Sequence, residues 1–249
     1  MNRLRCNTTA FGLLLAACAT TLGGGERPQV PVLLELFTSE GCSSCPPADR
    51  LLEKFDRDQP VAGADVIVLS EHVDYWNSLG WKDPFSSAQF SERQQQYANA
   101  LRGSVYTPEL VVDGVKGFVG SEQSEAIDAV KNAIRAPKIP MQVTAEKQDN
   151  KAKVTVHVDA GADGTVWLAL AHDREQSQVL RGENGGHNLA HVGVVYSLEQ
   201  IGKSTNAGGF DKEMTVTLKP GLKNQNTRIV AFVAKGGSFK VVGAAQARL

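Results

Sequence analysis

The sequence predicts an α/β unit over residues 31–136, followed by an all-β unit over residues 138–249. In the first unit, short apolar runs alternate with segments in which apolar residues recur every three or four positions, which is typical of strands separated by helices. Beyond Pro140, apolar and polar residues alternate, as at residues 154–158, and this period of two is typical of strands with one buried face. Pro137 and Pro140 lie where the pattern changes and indicate the boundary.

The first unit is predicted to have the element order β-α-β-α-β-β-α. Strand patterns cover residues 32–37 and 66–69, helix patterns start after Pro47 and near Phe90, a hairpin spans residues 109–119, and a last helix starts at Ser121. The first two strands are almost continuously apolar, as expected of strands that are buried on both faces. The second unit has about seven strand patterns and no helix pattern of comparable length, which predicts an antiparallel, sandwich-like sheet arrangement.

The amino terminus has the pattern of an export signal. Two arginines within the first five residues precede a short apolar stretch at residues 11–17, and small residues follow. We expect a signal peptide over residues 1–18 and a flexible tether over residues 19–30. The four residues that end at Cys18 resemble a bacterial lipobox, which would place a lipid on Cys18, and the alternative is ordinary cleavage after Ala19.

Charge and hydropathy argue against two classes of partner. The chain has 26 basic and 27 acidic residues, so its net charge of -1 provides no basic field for nucleic acid. Nothing after residue 30 approaches the roughly 18 consecutive apolar residues that a membrane-spanning helix needs. A lipid on Cys18 is therefore the one predicted link to a membrane, and we expect a protein of the periplasm or cell envelope.

The cysteines define the candidate site. Of the four cysteines, Cys6 and Cys18 belong to the predicted export segment, which leaves Cys42 and Cys45 as thiols of the mature chain. A bond between them closes a very short loop and stabilises the fold little, so chemistry is the better explanation of the pair. Because Cys42 lies just before a predicted helix, whose N–H groups favour a thiolate, we expect Cys42 to be the exposed, attacking thiol and Cys45 the resolving thiol. An inert structural disulfide and a soft-metal site are the alternatives.

Glu35 and His72 are two further candidate residues of the cysteine site. Glu35 lies inside the first apolar strand, where burial would raise the pKa of its carboxyl group and suit it to proton transfer. An ion pair between Glu35 and a Lys or Arg is the alternative. His72 follows the second strand, and parallel strands end at the same edge of a sheet, so His72 should lie on the side of Cys42. There it would stabilise a thiolate or bind a metal, or else form part of a packed supporting loop.

Six segments carry a family resemblance, namely residues 36–49, 72–76, 80–85, 105–108, 111–114 and 181–184. Together they resemble the DUF1223 family of exported bacterial and plant proteins with a thioredoxin-like domain. The resemblance implies a thioredoxin-like fold for residues 31–136 and, by analogy, redox chemistry at the cysteine pair. It also implies that Glu35 corresponds to the buried acid of thioredoxins. It further implies that the Thr107–Pro108 bond is cis and that Thr107 pairs with the backbone of an extended client.

Three functional hypotheses follow. The favoured one is an exported thiol–disulfide oxidoreductase without a cofactor, which exchanges its disulfide with a cysteine-containing protein client, a redox partner or a small thiol. Its predicted site residues are Cys42, Cys45, Thr107, Pro108, Glu35 and His72. The second hypothesis is a copper-handling protein that binds Cu(I) through Cys42, Cys45 and His72 and is no enzyme. The third is a non-catalytic interaction protein of the cell envelope that uses the second unit.

Overall fold

The computed structural model describes Met1, residues 29–220 and residues 227–249. The predicted signal peptide and nearly all of the predicted tether therefore lie outside the described residues. Within these ranges, eleven strands are present: β1 (Val30–Thr38), β2 (Ala64–His72), β3 (Glu109–Val112), β4 (Lys116–Val119), β5 (Met141–Gln148), β6 (Lys151–Val158), β7 (Gly164–Gln178), β8 (Asn188–Ser204), β9 (Phe210–Thr217), β10 (Thr227–Lys235) and β11 (Val241–Arg248). The α-helices are α1 (Pro46–Asp58), α2 (Ala88–Leu101) and α3 (Gln123–Ala133), and a short 3-10 helix covers Asn77–Leu79. No helix in the described part of the chain has the length and apolarity that crossing a membrane requires.

The strands form two sheets. The larger is a mixed, eight-stranded sheet with the order β11-β10-β7-β8-β2-β1-β3-β4. The smaller has three antiparallel strands in the order β5-β6-β9. In the larger sheet, β1 and β2 run parallel, and β3 runs antiparallel to β1. The ends of β1 and β2 therefore lie at one edge of the sheet, where the cysteine loop begins.

The predicted division into a thioredoxin-like α/β domain and a separate all-β domain is wrong. Strand β8 from the second half of the chain pairs in parallel with β2 from the first half, through Val194 and Ser70. Strands from both halves are therefore joined in one eight-stranded sheet. The apolar period along a chain reports which face of a strand is buried but does not report its lateral partner, so the sequence pattern could not reveal this pairing.

A glycine allows β8 to approach β2 so closely. Gly193 has a φ of 58°, in the left-handed region that favours glycine. A side chain at this position would place its Cβ 2.5 Å from the carbonyl oxygen of Val68 in β2. Any other residue would therefore clash with the β2 backbone, and the two halves would separate or shift.

Apolar side chains cover both faces of the sheet. Leu34 and Leu36 belong to the cluster that packs beneath α1 and α3, together with Phe55. Leu33 lies on the opposite face, in a cluster with Phe90 of α2. Strand β1 is thus buried on both faces, as its continuous apolar run predicts. A further cluster fills the space between the three-stranded sheet and the second-half strands of the larger sheet.

Arg228 of β10 connects the two halves by charge. Its side chain is fully buried, and its guanidinium donates to both carboxylate oxygens of Asp56 in α1, at 2.8 and 2.9 Å. The same group donates to Asp173 of β7 at 2.6 Å. Arg248 reaches the same two carboxylates at 3.2 and 3.5 Å, but half of its side chain is exposed.

Replacing Arg228 by Ala should lower the free energy of unfolding by about 3–5 kcal/mol, because it leaves two largely buried carboxylates without their main partner. The matched change, Arg248→Ala, removes a half-exposed contact to the same carboxylates and should cost at most about 1 kcal/mol. Urea unfolding of both variants measures these values. Equal, small losses would show that Arg228 does not hold the halves together.

Candidate functional site

Cys42 and Cys45 form a disulfide bond in the loop that connects β1 to α1. Cys45 is the residue immediately before the helix, and Pro46 and Pro47 occupy the first helical positions. Prolines are suited to these positions because their missing N–H groups would have no partner within the helix. The carbonyl oxygen of Cys45 accepts hydrogen bonds from the N–H groups of Ala48 and Asp49, at 2.8 and 3.1 Å. The disulfide therefore lies at the amino terminus of α1, where the helix dipole favours negative charge.

Both cysteines are completely buried in this oxidised state. Ser43 and Ser44, between them, are exposed. The expectation that Cys42 is the more exposed cysteine is therefore not met, because neither cysteine is accessible. Some neighbouring part of the protein must cover the pair.

Residues 179–187, the connection between β7 and β8, bind the cysteine turn, and we name them the cover loop. The side-chain amide of Asn184 donates to the carbonyl oxygens of Glu40 and Cys42, at 2.9 Å each. The carboxylate of Glu183 accepts a hydrogen bond from the N–H of Ser43 at 2.9 Å, and hydrogen bonding from the side chain and then the backbone of Ser43 lowers the pKa of Glu183. The cover loop thus binds the backbone of the cysteine turn from both sides.

The cover loop also packs against the loop that follows β2. Gly182 has a φ of 80°, and a Cβ at this position would lie 3.1 Å from the Cβ of Trp81. A Cβ at Gly80 would lie 3.6 Å from the Cα of Gly182. Leu79 and Leu180 flank this glycine contact in sequence and are largely exposed, at 60 and 66%. Two loops from different halves of the chain therefore meet beside the disulfide.

A buried ionic cluster centres on His191 of β8. Its Nε2 lies 3.4 Å from the carboxylate of Glu40, and its Nδ1 lies 3.6 Å from that of Asp49 in α1. Glu40 also accepts hydrogen bonds from the indole N–H of Trp81, at 2.8 Å, and from the hydroxyl of Ser177. Burial alone would lower the pKa of His191, but the charges of Asp49 and Glu40 outweigh it and raise this pKa to about 10.

His72 lies beside this cluster. It is fully buried, and its Nδ1 lies 2.7 Å from the carboxylate of Asp83. Burial raises the pKa of Asp83, but the His72 ring and hydrogen bonds from the backbone N–H groups of Glu40 and Phe85 bring it below its ordinary value. The rings of His72 and His191 meet edge to face, with centroids 4.7 Å apart. The structure therefore brings His72 to the cysteine side of the sheet, in contact with His191.

Glu35 faces away from the disulfide. Its neighbours Leu34 and Leu36 point towards α1, and alternate residues of a strand point to opposite faces, so Glu35 lies on the α2 face. There its carboxylate accepts hydrogen bonds from Arg93, with Nε at 2.7 Å, and from the hydroxyl of Tyr97. From the sequence, Glu35 is either a proton-transfer group near the cysteines or the partner of a Lys or Arg. The structure has the second arrangement, an ion pair with Arg93.

The Thr107–Pro108 bond is cis, as predicted. The indole N–H of Trp76 donates to the hydroxyl of Thr107 at 2.8 Å. A Cβ at Gly41, next to Cys42, would lie 3.1 Å from the Cβ of the same tryptophan. Trp76 thus links the cis bond to the cysteine turn.

A family model described as "Protein of unknown function (DUF1223)" matches residues 33–234. The chain belongs to this family. Among curated proteins, no sequence matches it.

One solved structure resembles this family member along most of its length. The crystal structure of protein AGR_C_4864 from Agrobacterium tumefaciens has 26% identity and a TM-score of 0.67, and the match covers 88% of this chain and 95% of that one. The sporulation control protein Spo0M from Bacillus subtilis has 15% identity and a TM-score of 0.32, over 46% of this chain and 49% of that one. The Spo0M similarity is too weak to carry an argument about function.

In this DUF1223 chain, sequence reasoning missed His191 and the partners that hold it. His191 has no sequence neighbour with metal-ligand or catalytic spacing, so no local signal indicates its role. Asp49 offers a signal, because it lies between the buried residues Ala48 and Leu52 on the inner face of α1. An acid on a buried helix face predicts a partner but does not say which one. Within the described residues, no group of three or more His, Cys, Asp or Glu side chains could hold a metal ion.

Asn184→Ala should increase the rate at which dithiothreitol reduces the disulfide by about fivefold to tenfold. The change removes two hydrogen bonds of a buried amide, worth about 1 kcal/mol or more, and so weakens the closed position of the cover loop. Arg181→Ala is the matched control, because it alters an exposed residue of the same loop. Equal rates in both variants would contradict the covering role of Asn184.

His191 should remain protonated on both ring nitrogens at pH 8, whereas His172 should be neutral, because burial lowers its pKa. The folded pKa of His191 is about 10, above the ordinary value. Its ion pairs should therefore stabilise the fold fully below pH ~6.5 and lose this effect as the pH rises through 10. Imidazole ¹⁵N NMR from pH 5 to 9 measures both rings. A His191 signal that titrates near pH 6.5 would exclude the ionic cluster.

Proposed function

We propose that this protein is a thiol–disulfide oxidoreductase whose working group is the Cys42–Cys45 pair. The observation that carries the proposal is a disulfide at the amino terminus of α1 that spans a separation of only three residues. So short a loop removes little entropy from the unfolded chain, and stability is therefore a poor explanation of the bond. A helix amino terminus favours the thiolates that disulfide exchange requires.

The proposed exchange runs through a mixed disulfide. A client thiolate attacks the sulfur of Cys42, the Cys42–Cys45 bond breaks, and its electron pair leaves on Cys45 as a thiolate. A second client thiolate then attacks the client sulfur of the mixed disulfide, which releases Cys42 and the oxidised client. Two client thiols become one disulfide, and their two protons are taken up by Cys42 and Cys45. The reverse reaction passes through the same intermediate.

The cover loop makes exchange depend on a conformational step. Because both cysteines are buried, a client sulfur can approach only after Glu183 and Asn184 release the cysteine turn. The two hydrogen bonds of Asn184 go to backbone carbonyl groups, so opening breaks no covalent bond. Movement of a surface loop on the microsecond to millisecond scale is sufficient for this.

Thr107 supplies a position for an extended client. Thr107 is partly exposed, and its hydroxyl is already oriented by Trp76. A client backbone that pairs with Thr107 would lie beside the turn of Cys42, which is strand addition at an edge. The predicted export signal would bring the protein to an oxidising compartment of the cell envelope, where such chemistry is used.

Cys42→Ser should abolish the turnover of a cysteine-containing peptide, because no sulfur remains to form the mixed disulfide. When the peptide is supplied in its disulfide form, Cys45→Ser should instead accumulate a mixed disulfide, because the Cys42 thiolate attacks the peptide disulfide, one peptide sulfur leaves as a thiolate, and no Cys45 thiol remains to resolve the bond. Non-reducing electrophoresis and mass spectrometry detect this species. Ser43→Ala is the matched control, because this exposed side chain lies in the same turn.

The parent protein and Ser43→Ala should turn the peptide over at similar rates. Equal turnover in Cys42→Ser and the parent would contradict the enzymatic proposal. So would tight, stoichiometric binding of Cu(I) by the reduced parent without any turnover.

A further inference from the structure

His191 occupies an unusual environment. Its side chain is fully buried, yet neither ring nitrogen makes a hydrogen bond with any described residue. The two carboxylates that face it, Glu40 and Asp49, accept hydrogen bonds from other donors. Buried polar atoms in native proteins almost always have partners, and exceptions are frequently functional.

His191 contacts two acids that flank the cysteine pair in sequence. Glu40 precedes Cys42 by two residues. Asp49 lies four residues after Cys45, one turn along the helix, where side chains share a face. His191 therefore contacts acids on both sides of the disulfide turn, at 3.4 and 3.6 Å.

The charges around His191 come from several elements. His72 packs edge to face on the ring, and Asp83 holds His72. Glu175 of β7 lies directly opposite His191 in the strand register and is buried. The acidic groups of Glu40 and Asp49 keep the imidazole in its cationic form, whereas a buried neutral imidazole would have no need of them.

We propose that His191 is a positioning residue for disulfide exchange, whose positive charge stabilises the thiolate that forms on Cys45 when the Cys42–Cys45 bond breaks. The inference deepens the proposed function and rests on it. The client thiolate supplies the electron pair that forms the new bond to Cys42, and the pair from the broken bond remains on Cys45. The imidazolium keeps its proton and acts by its field. Negative charge on Cys45 is thereby less costly inside the protein than the burial of that side chain alone would make it.

The test measures the pKa of Cys45 without any client. In Cys42→Ser protein, the pH dependence of Cys45 alkylation by iodoacetamide gives this pKa. Addition of His191→Gln should raise it by about one unit, which slows alkylation about tenfold at pH values below the pKa. His172→Gln is the matched control, because His172 is also a buried histidine of the larger sheet, but the carboxylate beside its Nδ1, at 3.6 Å, is that of Glu175. His191→Lys, which restores a cation, should reverse about half or more of the increase in the Cys45 pKa that His191→Gln causes.

An unchanged Cys45 pKa in folded His191→Gln protein would overturn the role of His191, as would an equal shift in His172→Gln. A second measurement needs no variant at position 191. In the reduced Cys42→Ser protein, the imidazole ¹⁵N chemical shifts of His191 should change with a midpoint at the pKa of Cys45. Chemical shifts that stay constant while Cys45 ionises would also overturn the inference. Because these readings use no client, they decide the role of His191 separately from the exchange assay, which decides the proposed function.

Discussion

The parallel contact between β2 and β8 is the constraint on which the candidate site depends. It joins strands of the first and second halves of the chain, and Gly193 makes the close approach possible. The cover loop directly precedes β8, and His191 lies within β8. The contact therefore brings a lid and a buried charge to the cysteine turn, although Ser43 and Glu183 are 140 residues apart in sequence. Without β8 beside β2, the cysteine turn would be an exposed loop at the edge of a small sheet.

Three buried cations follow one pattern, since each lies between two carboxylates. Arg228 lies between Asp56 and Asp173, Arg93 between Glu35 and Glu71, and His191 between Glu40 and Asp49. Arg228 donates hydrogen bonds to both of its acids, and Arg93 donates to Glu35 but lies 3.5 Å from Glu71 without a hydrogen bond. The histidine approaches its acids without such bonds. The arginine clusters therefore account for cohesion of the fold, whereas the histidine cluster is better explained by the chemistry of its neighbour, the disulfide.

Covering the disulfide has an advantage and a cost. A buried sulfur pair is protected from small reductants and from exchange with unsuitable thiols, because attack requires access. The cost is an opening step before every reaction. The cover loop keeps that cost modest, because it holds the turn mainly through Glu183 and Asn184, whose bonds can be exchanged for bonds to water or to a client backbone. The second half of the chain is thus part of the candidate site, and under the proposed exchange a client must compete with it.

Much of the local structure could be predicted from the sequence. The cis bond at Thr107 is implied by the family resemblance. The strand at β1, the helix after Pro47, the hairpin around Asp113 and the cysteine pair all follow from patterns within a few residues. Such features depend on hydrophobic period, turn chemistry and proline geometry, which act over short distances. Family membership follows in the same way, because it rests on contiguous motifs.

Only the tertiary structure decided how these parts combine. The pairing of β8 with β2 overturned the predicted pair of separate domains, and it placed His191, rather than Glu35, beside the cysteine turn. Burial of both cysteines also emerged only in three dimensions, where a loop from beyond β7 binds the backbone of the cysteine turn. The physical reason is common to all three results. Sequence periodicity shows that a residue needs a buried surface or a charged partner, but the identity of that partner depends on contacts between residues far apart in the chain.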